Sequence, residues 1–144
     1  MKFSISEVTT SQNAMHRMHW AVRHKMRDRW YWLVRTACGV TPEYLGGHEI
    51  RPAYYHLHLV RVATRLLDDQ NVPAGTKYLV DALAYYGHIY RDSRKWLRLT
   101  FDQRKCDSGE EPHMEITIRR KRSPEWEKAG ARATAKKSTR CARR

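Results

Sequence analysis

The stretch RLLDDQNVPAGTKYLVDALAYYGHIYRDS, residues 65–93, decides the fold of this chain. It leaves an apolar, strand-like run, crosses an acidic turn and enters a helical pattern that ends at Gly87. Another strand-like run begins a few residues later, so the segment predicts a strand–helix–strand unit. Much of the acid of an otherwise basic protein is gathered here, at Asp68, Asp69, Asp81 and Asp92.

Two interpretations of these carboxylates stay open. Hard divalent cations prefer oxygen ligands, which favours a metal site at the two ends of the helix. Asp and Asn are also the ordinary residues of turns and helix starts, and composition alone favours this interpretation. Lys77 lies one helical turn from Asp81, a spacing typical of a surface ion pair.

The composition is that of a basic protein large enough for one domain. Its 144 residues, 41% of them hydrophobic, suffice for a core and argue against wholesale disorder. The net charge of +13 favours a polyanionic partner, because basic surfaces attract phosphates and release their counterions. Nucleic acid is the first candidate, and an anionic membrane surface is the alternative.

The expected compartment is the cytoplasm. No apolar run reaches the length of a membrane span, and the first residues lack the apolar core of a secretory signal. Cys38, Cys106 and Cys141 are odd in number and lie far apart without a CxxC pair. They are therefore expected to be reduced thiols, and neither a disulfide framework nor a zinc knuckle is predicted.

The N-terminal third predicts a short strand and a long helix. Residues 3–8 alternate weakly, and apolar residues then recur at helical spacing over residues 11–37, with Gly39 as the stop. The opposite helix face is basic, either as a solvated surface or as a phosphate contact, two readings that we weigh equally. Its residues are Arg17, Arg23, Lys25, Arg27, Arg29 and Arg35.

Residues 54–62 carry the clearest strand pattern, with Leu57 and Leu59 on one face and His56 and His58 on the other. An HxH pair on a strand can bind a metal, but no third ligand stands at a recognisable spacing, so structural histidines are favoured.

The C-terminal half predicts a helix over residues 71–86 and two strands, residues 96–103 and 113–118, joined as a hairpin. The complete prediction is an α+β domain over residues 1–121, in which two main helices pack on a mixed sheet. Residues 122–144 form a basic tail that is expected to be disordered and either grips nucleic acid or solubilises the chain.

Several short motifs, taken in order, resemble the RusA family of Holliday junction resolvases, particularly its phage-type members. The family has an NxxxHW-like segment, a DxDN motif after a strand, a DAL segment on a helix, a Gly and a DDS motif. The matching residues here are Asn13 with His19-Trp20, then Leu67-Asp68-Asp69-Gln70-Asn71, Asp81-Ala82-Leu83, Gly87 and Arg91-Asp92-Ser93. The resemblance covers most of residues 11–118.

The resemblance implies a homodimeric, Mg²⁺- or Mn²⁺-dependent endodeoxyribonuclease that resolves four-way DNA junctions by paired nicks. Metal ligands would be Asp68, Asp81 and Asp92, with Asp69 and Gln70 as further candidates, and Lys77 would assist catalysis beside Asp68 and Asp92. This chain departs from the family at Gln70 and Arg91, where the family has Asp. The residues expected to contact DNA are Asn13, Arg17, His19, Arg23, Arg27, Arg65, Asn71 and Lys77.

Three functional hypotheses follow. The first is the junction nuclease, which requires Asp68 and Asp92 to converge when the second strand returns beside the first. The second is a branched-DNA-binding protein of the same fold that cuts weakly or not at all, which Gln70 and Arg91 favour. The third, an RNA-binding or ribosome-associated protein, rests on charge alone.

Overall fold

The computed structural model describes residues 1–39, 52–68 and 71–121, and the predicted tail, residues 122–144, lies outside these ranges. The elements of the described residues follow in chain order: β1 (Lys2–Ile5), α1 (Gln12–Arg17), α2 (Trp20–Cys38), β2 (Tyr54–Ala63), α3 (Asn71–Gly75), α4 (Lys77–Tyr85), β3 (Leu97–Lys105) and β4 (His113–Lys121).

The four strands form one mixed sheet in the order β1-β4-β2-β3. β2 and β3 are parallel, with Tyr55 opposite Leu97 and Ala63 opposite Lys105. β4 runs antiparallel to both β2 and β1. The strand–helix–strand unit, the mixed sheet and the α+β class are therefore confirmed.

The predicted hairpin of β3 and β4 is wrong, because β2 lies between them. β4 brings Met114, Ile116 and Ile118 into the core, where all three side chains are buried. Its position between β1 and β2 gives these side chains neighbours on both adjacent strands. β3 takes the edge, where charged side chains such as Arg98 reach solvent. A connection of the length found between β3 and β4 easily crosses two strand spacings of about 4.8 Å each.

The predicted long helix is divided into α1 and α2. Ser11 caps α1 as expected, its hydroxyl oxygen accepting the Ala14 N–H at 3.3 Å. Met18 then adopts an extended backbone conformation, and His19 caps α2 by accepting the Ala21 N–H on Nδ1 at 3.3 Å. Gly39 ends α2 with a φ of 70°, as predicted.

The predicted helix over residues 71–86 is also divided, at Thr76, whose hydroxyl donates to the carbonyl of Pro73 at 2.7 Å. Gly75, the last residue of α3, packs against the chain before α1, where an added Cβ would lie 2.1 Å from the carbonyl oxygen of Thr10. Gly87 follows α4 with a φ of 81°, which confirms the predicted stop.

The helices cover one face of the sheet. Trp30 and Val34 of α2, together with Leu79 and Leu83 of α4, join the buried cluster that contains the inward-facing strand residues. Leu57 and Leu59 of β2, which the alternation places on one face of the strand, are fully buried there. The opposite face of the sheet carries polar and charged side chains. Within the described ranges, no helix is long and apolar enough to cross a bilayer.

Candidate nucleic-acid interface

The first turns of α2 and the start of α4 line a surface groove of about 200 Å³. Its lining residues are Trp20, Arg23, His24, Arg27 and Tyr78. We call this set the helix groove. It combines two guanidinium groups with three rings, which are the groups that contact phosphates and stack on bases.

Trp20 is the most conspicuous residue of the helix groove, because 62% of this large apolar side chain is exposed. Its ring lies edge-on to His24 at 5.8 Å and near His19 at 5.4 Å between ring centroids. The α2 cap therefore holds three rings together at the mouth of the groove.

The two arginines of the groove differ in their surroundings. Both are exposed. Arg27 donates from Nε and Nη2 to the Asp28 carboxylate at 3.1 and 2.8 Å, and these hydrogen bonds raise the pKa of its guanidinium. Among the described residues, Arg23 forms no ion pair. Arg23 can therefore bind an anion directly, whereas Arg27 must first break its hydrogen bonds to Asp28.

Four other residues expected to contact DNA lie on α1, at the start of α2 and on α4. Asn13 and Arg17 lie exposed on α1, and His19 is the cap of α2. Lys77 begins α4 next to Tyr78, and its ammonium contacts the Asp81 carboxylate at 3.2 Å, as the spacing predicts. Burial, followed by the charge of Asp81, raises the pKa of Tyr31 on α2.

Sequence reasoning did not select Trp20, His24 and Tyr78 as contact residues. Positions 20, 23, 24 and 27 form one stripe at helical spacing, so periodicity could have identified the α2 residues of the groove. It could not have identified Tyr78, because the position of Tyr78 depends on how α4 packs against α2.

The acidic segment after β2 is held at the far end of the parallel strand pair. Gln103 of β3 makes two hydrogen bonds with the backbone of Leu67, accepting its N–H at 2.9 Å and donating to its carbonyl at 2.6 Å. The buried Arg61 donates to the carbonyl of Arg65 at 2.7 Å. Asp68 follows, exposed, and its Oδ2 accepts from the Asn71 side chain at 3.4 Å.

Asp92 lies at the other end of the same strands. It precedes Ser93, whose carbonyl accepts the N–H groups of Trp96 and Leu97 at the start of β3. The part of β3 from Leu97 to Gln103 measures about 20 Å at a rise of ~3.3 Å per residue. The expected convergence of Asp68 and Asp92 is therefore wrong. In a parallel pair, the last residue of one strand and the first residue of the next lie at opposite ends of the pair.

The metal site implied by the resemblance does not fit the described carboxylates. Asp68 and Asp92 are too far apart for one ion, whose ligands lie about 2 Å from it. Asp81 is engaged by Lys77 on α4. No group of three His, Cys, Asp or Glu residues suited to a metal ion occurs within residues 1–39, 52–68 and 71–121. Asp69 and Gln70 lie outside these ranges.

Comparison of the chain with protein-family models, with curated proteins and with solved structures found no match. The resemblance to the RusA family consequently rests on the order of the short motifs. The geometry of the helix groove carries the functional argument.

Proposed function

We propose that this protein binds DNA through the helix groove. The observation that carries the proposal is the exposed Trp20 ring, which lines one groove together with Arg23, Arg27 and Tyr78. An exposed indole in water gains by stacking on a base, typically by about 1–3 kcal/mol. Arginines on the same stripe contribute phosphate contacts, which supply most of the sequence-independent affinity.

The net charge of +13 supports the same proposal. Such a charge attracts nucleic acid over long range at low salt, whereas the groove decides where the strand lies. Two further polar residues expected to contact DNA, Asn13 and Arg17, are exposed on α1, which packs against α3.

The motif order supports branched DNA as the target, with a homodimer acting in the cytoplasm. A two-fold dimer presents two identical surfaces, which suits the symmetry of a four-way junction. Light scattering measures this part of the proposal, and a mass near twice 17.1 kDa is the expected result.

A second candidate function is cleavage of the bound junction, with Mg²⁺ or Mn²⁺. The exposed Asp68 favours it, because Asp69 and Gln70 follow in the same segment and offer further oxygen atoms. This ligand set differs from the one that the resemblance implies, since it does not contain Asp92.

The experiment that tests binding compares two tryptophans of α2. Trp20 and Trp32 are each 62% exposed, but only Trp20 lines the helix groove. We expect Trp20→Ala to weaken binding of a labelled four-way junction by roughly 5- to 150-fold, the range that the loss of one stacked base gives. Trp32→Ala should bind as the wild type does.

Equal affinities of the two variants would contradict the proposal. A matched duplex and a structured RNA of the same length complete the experiment. Tighter binding to the junction than to the duplex is expected, and a preference for the RNA would favour the RNA-binding hypothesis instead.

A further inference from the structure

The face of the sheet opposite the helices carries a row of basic side chains. On three adjacent strands, His56 of β2 lies between Arg98 of β3 and Arg119 of β4. Lys121 is one row further along, beside Tyr54, and Lys2 of β1 lies one row in the other direction. We call these five residues, His56, Arg98, Arg119, Lys121 and Lys2, the sheet row.

A groove of about 290 Å³ opens on this face. Its lining comprises Lys2, His56, His58, Val60, Glu115, Thr117 and Arg119. His56 is oriented within it by Thr100, whose hydroxyl lies 2.8 Å from Nε2. The four lysines and arginines of the sheet row are exposed.

The cations of the sheet row are not neutralised by the described carboxylates. Arg98, Arg119, Lys121 and Lys2 form no ion pair within residues 1–39, 52–68 and 71–121. The acids of this face lie further along the strands and have their own neighbours. Glu115 contacts Arg104 at 3.1 Å and His113 at 3.6 Å, whereas Asp102 approaches His58 at 3.2 Å.

The sheet row therefore leaves a strong positive field at one end of a face that none of the described helices covers. Burial first, and then the charges of Lys121, Arg98, His58 and Arg119, lower the pKa of His56. Like charges held this close repel one another, and a bound anion relieves the repulsion.

We propose that the sheet row is a second DNA-binding surface, which contacts the phosphates of a duplex on the opposite side of the sheet from the helix groove. This inference rests on the proposed function, since DNA is the polyanion that the helix groove would already hold. One chain would then contact two DNA segments at once. Two such contacts suit a branched DNA, in which several duplex arms meet.

The dimensions suit a duplex backbone. Arg98 and Arg119 are separated by two strand spacings, about 10 Å. This separation lies between the widths of the minor and major grooves of B-DNA, about 6 and 12 Å, across which phosphates face each other. Arg98 and Arg119 can therefore reach one strand each, with His56 between them.

Histidine NMR resonances report the two surfaces separately. His24 lies in the helix groove, whereas His56 belongs to the sheet row and His58 lines the same groove as His56. The full chain, carrying ¹³C-labelled histidine, is titrated with a short duplex DNA. We expect the ring resonances of all three histidines to shift in the wild type, and those of His56 and His58 to shift also in the Arg23→Gln/Arg27→Gln variant.

The outcomes distinguish the two proposals. Shifts confined to His24 would overturn the sheet row and leave the helix groove standing. Shifts confined to His56 and His58 would support the sheet row and contradict the helix groove. If no resonance moves, both surfaces are refuted.

A second measurement uses charge-matched variants. Arg98→Gln/Arg119→Gln removes two charges from the sheet row. The control, Arg120→Gln/Arg35→Gln, removes two exposed charges that belong neither to the sheet row nor to the helix groove. Isothermal titration with a short duplex measures how many duplexes each protomer binds. We expect two per protomer for the wild type and for the second variant, and one for the first variant, with unchanged mass by light scattering. One duplex per wild-type protomer, or two per protomer for both variants, would overturn the inference.

Discussion

Asp68 and Asp92 stand at opposite ends of one parallel strand pair, in which Leu97 and Gln103 of β3 are about 20 Å apart. This separation decides which residues can share a ligand. The two carboxylates match family motifs before α3 and after α4, but the chain returns along the sheet between them and leaves them at opposite ends of the strands. Asp68 and Asp92 therefore cannot serve as ligands of one metal ion.

The first prediction concerns the two aspartates. Asp92→Asn should change neither junction binding nor the Mg²⁺- or Mn²⁺-dependent nicking of the wild type, because Asp92 lies at the opposite end of the strands from Asp68. Asp68→Asn should reduce nicking, and Gln70→Asp should increase it by adding an anionic ligand. A nicking assay with gel-shift binding scores all three. Equal loss of cleavage in the Asp68 and Asp92 variants would mean that both act in one site.

The second prediction concerns Gly75. Helix propensity alone makes Gly75→Ala stabilising by about 1 kcal/mol. The added Cβ would lie 2.1 Å from the carbonyl oxygen of Thr10, so backbone must move. We expect a net loss of about 1–3 kcal/mol in the free energy of unfolding, the usual cost of overpacking. Urea denaturation measures it, with the exposed Ser108→Ala as a control within about 0.5 kcal/mol of wild type. A more stable Gly75→Ala variant would show that α1 and α3 are not closely packed.

The third prediction concerns the connection between β3 and β4. Arg104 donates to both oxygens of Glu110 at 2.7 Å, and these hydrogen bonds, with the Asp107 N–H, lower the pKa of Glu110 to about 2. A depressed folded-state pKa stabilises the fold above the ordinary value of 4.5, and this stabilisation is lost as pH falls through about 2. Arg104→Gln should therefore lower Tm at pH 7.

The difference in Tm between Arg104→Gln and wild type should shrink steadily as the pH falls from 4.5 toward 2. Thermal melts at several pH values test this, with Lys105→Gln at the neighbouring exposed position as the control. A pH-independent difference would show that the Arg104 stem, and not its charge, stabilises the connection.

The fourth prediction concerns His56. Burial, and then the charges of Lys121, Arg98, His58 and Arg119, place its pKa below the ordinary value of 6.5. The unfolded chain binds this proton more readily, so His56 contributes stability that is complete above pH 6.5 and is lost as pH falls toward its folded pKa. Arg119→Gln should raise the pKa. An NMR titration measures it, with His24 on the other side of the sheet as the unaffected reference. An unchanged His56 pKa would mean that Arg119 points away from the ring.

Local patterns in the sequence predicted the strands and the helix stops well. The alternation of β2 identified its buried face, since Leu57 and Leu59 are inward as their spacing requires. Gly39 and Gly87 marked helix ends because only glycine adopts a positive φ without strain. The break at Met18 left no such signal, since it arises from the His19 cap and from packing of α1 on α3.

Non-local arrangement was less accessible. The order of strands depends on which strand gains most from central burial, and a short loop with a glycine suggested a hairpin that does not form. The basic stripe of α2 was visible from charge, but the helix groove also needs Tyr78 from α4. Likewise, the sheet row needs residues from several strands, so it appears only after the register is known.

The most direct test of DNA binding by the helix groove is the salt dependence of the junction dissociation constant for a small set of α2 variants. Arg23→Gln/Arg27→Gln should reduce the slope of log Kd against log salt by about 2, since each phosphate contact contributes about 0.9. Asp28→Asn should tighten binding because it releases Arg27, and Arg35→Gln should bind as wild type. If Arg35→Gln and Arg23→Gln/Arg27→Gln show the same slope per charge removed, binding is diffuse and the groove is not the interface.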